Sequence, residues 1–483
     1  MLVHRLPYIL YRDYPEFGYL TDNRNFGYDT ASKSCLKVGE LLLSKIGSIF
    51  YSQLSELPLD IVEIVNRLSR LFPDVQPSEI RKDAIEFYGD LHSKGFIYCG
   101  EDAADSSLTR SHYLSYNNTT ASELLIAQNQ ADQSIYETTF GYAHRLTRVH
   151  IDISSRCNEK CIHCYIPIAN KCSIMTAAMF ELILNQCREL NVLNLTLSGG
   201  EPMINPSLKF FLLKCREYNF SVNLLSNLTL LSDDLLEVIS DNPLICVQTS
   251  LYAMDADVHD KVTGIKGSYQ KTISAIHCLH ARNVPMQINC SIMKQNIRYY
   301  KDVLRFSESL NIEADADYSL FGCYDSSCSN LTCRLSTDEV EYIIKERLSD
   351  SLKNKNVGLK IENKDTAPSA PICPVCKHSL CISNNGNVYP CEGWQSLVLG
   401  NLEKCSLKEI WEDEPMTRQL RNLTIKDFPQ CHGCADKKFC STCLIMNANE
   451  SEDGDYKDLN DFQCAVAKLK HRYYSCLLLQ SMS

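Results

Sequence analysis

The rhythm of apolar and polar positions changes twice along the chain. In residues 1–99, short Tyr- and Phe-rich runs at Pro7–Arg12, Phe17–Thr21 and Asn25–Tyr28 are separated by Asp-Tyr-Pro and Asp-Asn-Arg turn signals, which predicts two or three antiparallel strands. Three helical patterns follow. The first is Leu36–Ile46; in the second, Ile61, Ile64, Val65, Leu68, Leu71 and Phe72 recur on one face. The third runs from a cap at Ser78 through Ile80, Ala84, Phe87 and Leu91 to a stop at Gly95. Residues 100–145 are polar and weakly patterned (GEDAADSS, YNNTTAS, AQNQADQS) and read as a linker carrying one helix at Ala121–Asn129.

From Arg148 strands alternate with helices. Strand-like runs are Val149–Ser154, Leu193–Ser198, Ser221–Leu225, Ile245–Leu251, Met286–Ile292 and Ala314–Ser319, with helical stretches such as Thr176–Leu190 and Tyr269–Ala281 between them. Such alternation predicts βα units on a parallel sheet, and six of them fit a partial (β/α)6 TIM-like barrel over residues 146–325. In barrels of this kind the chemistry sits at the C-terminal ends of the strands. A bridging region, 326–370, contains the Lys/Asn-rich segment Lys353–Lys364. The last region, 371–483, closes on a helix at Ala465–Leu479.

Composition narrows the class. A hydrophobic content of 45% with 22% charged residues excludes a largely disordered chain. The net charge of −11 argues against nucleic acid as the main partner. No stretch approaches the roughly 18 uncharged apolar residues of a membrane span. The opening MLVHRLPYILYRDYPEF does not read as a signal peptide, so a cytoplasmic protein is expected. Against that background 25 cysteines stand out. In a long chain without an export signal they are expected to be reduced, and many to bind metal.

One cluster is Cys157-Asn-Glu-Lys-Cys161-Ile-His-Cys164-Tyr165, just beyond the first barrel strand. Three thiolates can hold three irons of a 4Fe–4S cluster and leave the fourth open. Spacing alone leaves zinc, with His163 as a fourth ligand, and free thiols as alternatives. The cysteines and the aromatic Tyr165 resemble the signature of the radical S-adenosylmethionine (radical SAM) superfamily. After the next strand, Gly199-Gly200-Glu201-Pro202 is similar to that superfamily's motif for the methionyl amino group of SAM. Leu225-Ser226-Asn227 stands in the place of its third-strand motif, with Leu228 where Gly is usual. Gln248-Thr249-Ser250-Leu251 stands where fourth-strand polar residues meet SAM, and Leu251-Tyr252-Ala253 replaces a common Leu-Asp-Gly. The resemblance implies Gly199, Gly200, Glu201, Pro202, Ser226, Gln248, Ser250 and Tyr165 as SAM-binding residues, and Cys157, Cys161 and Cys164 as cluster ligands.

Ten cysteines fall in residues 371–464. Cys373 precedes Gly386 and Cys391; Cys431-x2-Cys434-x5-Cys440-x2-Cys443 precedes an isolated Cys464. Read alone, this pattern also suits a pair of zinc knuckles. It resembles the SPASM extension of radical SAM enzymes, which holds two auxiliary 4Fe–4S clusters. The resemblance implies Cys431, Cys434, Cys440 and Cys464 for one, and Cys373, Cys391 and Cys443 for the other. Cys376 is the expected fourth ligand and Cys381, in the strand-like Leu380-Cys381-Ile382, its competitor; an open iron is the third option. The final C-x2-C departs from the usual C-x3-C. Of the remaining cysteines, Cys35, Cys187, Cys215, Cys246, Cys278 and Cys290 read as small core residues. Cys323, Cys328 and Cys333 follow the sixth strand and read as structural or incidental.

Ahead of such a core, strands and three helices within 1–99 resemble a winged-helix-like precursor-peptide recognition element, which binds a leader peptide as an added strand. No basic recognition helix is visible. The whole implies an α/β radical SAM oxidoreductase that cleaves SAM and modifies a ribosomal precursor peptide, with a thioether from a Cys as the leading product. Carbon–carbon crosslinking, epimerisation, sulfatase-type maturation of a folded protein, a small-molecule dehydrogenase and a zinc-bound adaptor are the alternatives. A flavodoxin or ferredoxin is the expected electron donor. The sequence names no catalytic side chain.

Overall fold

The structure, a computed structural model, describes residues 1–27, 38–101, 144–353 and 365–481. The N-terminal strands are β1 (Leu2–Arg5), β2 (Ile9–Asp13), β3 (Gly18–Asp22), β4 (Glu40–Leu43), β5 (Leu59–Asp60) and β6 (Ile97–Gly100). They form two antiparallel sheets, β5-β1-β6 and β2-β3-β4. The helices Lys45–Ser52, Ile61–Leu71 and Pro77–Ser93 cover them. This unit has its own core, in which Ile64, Leu68, Ala84, Tyr88 and Leu91 meet Val3, Ile9 and Leu20.

Local chemistry corrects several expectations here. The run read as a helix at Leu36–Ile46 is the strand β4 over its described part: Glu40 is buried, accepts from the Tyr19 hydroxyl at 2.7 Å, and lies in a strand paired with β3. The helix starts one residue past Ser44, whose hydroxyl accepts from Gly47 N. In place of a strand at Asn25–Tyr28, Asp22 caps a 3₁₀ turn at Asn23–Asn25; Tyr28 lies outside the described residues. The third helix is opened by Pro77 behind Gln76, not capped by Ser78, because proline's fixed φ and missing N–H suit the first turn. The expected helix Ala121–Asn129, Cys35 and most of Lys353–Lys364 also lie outside the described residues.

The larger sheet has nine strands in the order β12-β11-β10-β9-β8-β7-β13-β14-β15. These are β7 (Arg148–Ser154), β8 (Asn194–Gly199), β9 (Ser221–Leu225), β10 (Ile245–Ser250), β11 (Met286–Ser291), β12 (Glu313–Asp317), β13 (Ser379–Ile382), β14 (Asn387–Tyr389) and β15 (Gly400–Asn401). The six expected barrel strands are present and parallel. A seventh parallel strand, β13, comes from the cysteine-rich region and pairs with β7, His150 opposite Cys381. One continuous core therefore runs from Leu146 through the barrel to Tyr474. Cys187, Cys215, Cys246 and Cys290 are buried as expected, whereas Cys278 is exposed on the outer side of its helix. Among the described residues, no helix is long and apolar enough to cross a membrane.

The N-terminal unit docks on the barrel through Arg12 and Asn219. The buried guanidinium donates to Val192 O at 2.7 Å and Asn219 O at 2.9 Å and lies over the Phe220 ring. Asn219 accepts from Tyr11 N at 2.9 Å and donates to Ile9 O at 3.0 Å, so its side-chain amide continues the ladder at the edge of β2.

Candidate active site

β7 ends at Ser154, and the following loop carries Cys157, Cys161 and Cys164. It is pinned at both ends: Ser155 N donates to Ser173 O, while Lys160 N and Ile162 N donate to Thr263 O and Val262 O. The glycines after β8 permit the close approach of the next turn. A Cβ on Gly199, at φ +123°, would stand 2.0 Å from Ser154 O; on Gly200 it would stand 2.4 Å from Arg156 O. In its absence Gly200 N donates to Ser154 O at 2.6 Å and Glu201 N to Arg156 O at 2.9 Å. The Glu201 carboxylate is buried and accepts from Met203 N (3.0 Å), Ser226 Oγ (2.7 Å) and Asn227 N (2.8 Å). Burial raises its pKa, and these three donors oppose the rise.

A cavity of about 320 Å³ opens between the cysteine loop and the ends of the barrel strands. That is the size of a small-molecule site. Cys157, Cys161, Cys164, Tyr165, Gly199, Gly200, Glu201, Ser226, Gln248 and Ser250 all line it. Pro202 does not; it is buried at the start of the 3₁₀ turn Pro202–Ile204. Leu228 holds φ +63°, which explains why glycine is usual there: a buried leucine sits in a left-handed conformation that favours glycine. Tyr252 packs edge-on against His163, with its hydroxyl 3.3 Å from Nε2.

The donor set fits an iron–sulfur cluster. Burial pushes the Cys157 thiol up to about 11, and burial together with Glu159 and the other two thiols pushes Cys161 well up. A bound cation would favour the thiolate form of these residues. Thiolates on one zinc lie about 3.8 Å apart, as tetrahedral Zn–S bonds of ~2.3 Å require. Among the described residues, the one trio of His, Cys, Asp and Glu donors lying within 4.8 Å of one another is His150, Asp152 and Cys381. The Cys157–Cys161–Cys164 thiols are thus not drawn together around one point, and His163 is buried beside Tyr252, which lowers it to about 4.

The other thiols assemble in two places. Cys431, Cys434, Cys440 and Cys464 lie close together: Cys434 and Cys440 add to the burial that raises the pKa of Cys431 and of Cys464. Gly433, at φ +82°, makes the turn between the first two. Cys373, Cys391 and Cys443 likewise converge, and the Glu392 carboxylate faces all three. Cys376 is fully buried; burial raises its thiol, with Arg421 opposing the rise and Cys373 adding to it. Cys381 points its sulfur at Asp152 Oδ2, 4.0 Å away, and also feels Glu392 and Cys391. Cys323 and Cys333 are buried and Cys328 is exposed; none lines the cavity.

Two charged cavity residues, Glu159 and Lys171, escaped the sequence reading. Glu159, inside the cysteine motif, accepts from the Cys161 thiol at 3.4 Å, and burial pushes its carboxyl up to about 7. Lys171 is drawn up by Cys164 and its companions, against the effect of burial. Asn227 donates to Asn158 Oδ1 at 3.0 Å, tying β9's end to the cysteine loop. The charge of Glu159 within the motif and that of Lys171 seven residues after it were the one available signal.

Cavity, glycine turn and thiol groups together are those of a radical SAM enzyme with a SPASM extension. The radical SAM superfamily matches residues 151–307, and the SPASM iron–sulfur cluster-binding domain matches residues 373–435. Such domains imply a 4Fe–4S cluster, SAM and auxiliary clusters. The chain is 22% identical to the AdoMet-dependent heme synthase of Methanosarcina barkeri over 60% of its length and 89% of the relative's. It is 23% identical to the PqqA peptide cyclase of Gluconobacter oxydans, over 59% and 82%. The crystal structure of Streptococcus suis SuiB bound to precursor peptide SuiA shares the fold over 96% of this chain and 100% of that one, with a TM-score of 0.59 and 18% identity.

Proposed function

We propose that this enzyme modifies a ribosomally made precursor peptide and forms a thioether between a peptide Cys and a carbon centre. The observation that carries the peptide reading is the N-terminal unit itself. It is docked on the barrel by Arg12 and Asn219, and among the described residues β4 pairs with β3 alone, which leaves an edge for an added strand. The likeness to a SuiB structure holding its precursor peptide, which spans this unit, and to a peptide cyclase over the barrel supports it.

In this reading Cys157, Cys161 and Cys164 hold the cluster that leaves one iron free, and Gly199, Gly200, Glu201 and Pro202 shape the seat of the SAM methionyl group. Tyr165, Ser226, Gln248 and Ser250 line the rest. When bound, the cluster supplies one-electron cleavage of SAM, and with it a radical able to take hydrogen from carbon. Glu201, already oriented by three donors, fixes a cation at one place. Tyr165 packs on Phe321, ring centres 4.9 Å apart, and keeps water from that wall. Cys431, Cys434, Cys440 and Cys464 hold one auxiliary cluster; Cys373, Cys391 and Cys443 hold the other, with Cys376 the fourth ligand because Cys381 is turned to Asp152. Residues 1–99, 146–325 and 371–483 act as leader-binding, SAM-cleaving and auxiliary-cluster parts. A flavodoxin or ferredoxin in the cytoplasm supplies electrons.

The test is co-expression with a short Cys-containing peptide encoded in the neighbouring reading frame. Loss of two hydrogens together with loss of an alkylatable thiol is expected by mass spectrometry. Loss of two hydrogens with the thiol retained would indicate a carbon–carbon bond. An unchanged peptide beside an enzyme that cleaves SAM refutes the peptide reading.

A further inference from the structure

We propose that His150 is a proton acceptor for the oxidative half of this reaction, oriented by Asp152, which is in turn fixed by Gln395. The inference rests on the peptide-maturase reading and adds a residue to it.

Along β7, Val149, Ile151 and Ile153 enter the core, so His150 and Asp152 share the opposite face, inside the barrel. His150 Nε2 lies 3.1 Å from Asp152 Oδ1, and Gln395 Nε2 donates to Asp152 Oδ2 at 2.6 Å. A carboxylate held at both oxygens sets the ring's orientation and tautomer, the arrangement that makes an imidazole an effective base. With both carboxylate oxygens engaged, the trio with Cys381 needs no metal to satisfy it. Neither side chain lines the cavity; each is linked to the chemistry through a neighbour. Tyr165, which lines the cavity, feels Asp152, and Glu392, beside the Cys391 thiol, faces His150. Polar side chains hydrogen-bonded to one another inside a barrel wall are costly to keep, which points to use.

The chemistry needs such a group. Joining a peptide S–H to a peptide C–H removes two hydrogens. One leaves as an atom to the deoxyadenosyl fragment of SAM, giving 5′-deoxyadenosine. When sulfur bonds to the carbon radical, one electron must leave, for which a cluster held by Cys373, Cys391 and Cys443 would be the acceptor, and the thiol proton must be accepted. His150 takes it, and Asp152 stabilises the imidazolium formed.

The experiment uses holoenzyme, SAM, dithionite and the neighbouring-frame peptide, and compares His150→Gln, Asp152→Asn and Asp152→Glu with wild type. Product per 5′-deoxyadenosine should fall tenfold or more in the first two, with iron content and deoxyadenosine formation unchanged, and recover in part in Asp152→Glu. An unchanged ratio overturns the proposal. So does a parallel fall of iron or of SAM cleavage, which would make the pair a structural support, and so does a divalent metal bound to wild type and lost with His150→Gln. A wild type that cleaves SAM but leaves the peptide unmodified refutes the peptide reading instead.

Discussion

Replacing Gly199 by Ala places a methyl group where the structure has no room for one. The new Cβ would lie 2.0 Å from the Ser154 carbonyl oxygen, roughly an ångström inside contact distance, and the obstacle is backbone that no rotamer change can clear. The backbone conformation is unfavourable as well: φ is +123°, and holding an L-residue there costs on the order of 1–3 kcal/mol. Relief by displacement breaks the 2.6 Å bond from Gly200 N to Ser154 O, about 1 kcal/mol more. The total is about 3 kcal/mol, and the displaced element is the turn that brings Glu201 and the cysteine loop together. A misplacement of about 1 Å near reacting groups costs about a hundredfold in rate. Gly199→Ala should therefore form 5′-deoxyadenosine about a hundredfold more slowly under dithionite, with weaker SAM binding by calorimetry. The matched control is Gly89→Ala in the helix Pro77–Ser93, where a Cβ meets nothing within 4 Å. There alanine should stabilise by about 0.5–1 kcal/mol. Wild-type SAM cleavage by Gly199→Ala would refute the argument that the glycine turn seats SAM.

Replacing Cys157, Cys161 and Cys164 together with Ala should remove about four irons per chain and abolish 5′-deoxyadenosine formation. Replacing Cys431, Cys434, Cys440 and Cys464 should also remove about four irons, yet leave SAM cleavage without peptide intact while peptide product disappears. Cys376→Ala should make one auxiliary cluster labile in anaerobic iron assays, whereas Cys381→Ala should retain it; the reverse would exchange their roles. Arg12→Met strips the donors from Val192 O and Asn219 O, each worth about 1–3 kcal/mol when buried, and should speed proteolysis within residues 1–27 while SAM cleavage persists.

The barrel was legible because its strands are apolar runs between amphipathic helices; β9 begins and ends at the residues its pattern named. The thiol groups were legible because ligand spacing is local. Short apolar runs were not. Glu40–Leu43 satisfies a helical or an extended reading equally, and the partner strand β3 decides it. The strand character of Leu380–Ile382 was visible, but its pairing with β7 depends on residues more than two hundred positions away. Asn219 and Arg12 carry no motif; their meaning lies in backbone groups of another part of the chain. The polar residues of β7 alternate visibly in Val149–Ser154, but the contact of Asp152 with Gln395 joins residues 243 positions apart.

The pairing of β13 with β7 also bears on how the protein is made. At roughly 5–20 residues per second, the ribosome needs on the order of ten to fifty seconds to pass from one strand to the other. Throughout that interval β7, the strand that leads into Cys157, presents an unpaired edge, and parallel pairings between distant segments form slowly. Full-length yield should therefore depend on holdase chaperones and on translation speed between residues 154 and 379. Iron delivered before β13 arrives would meet a cysteine loop whose supporting strand is still half paired.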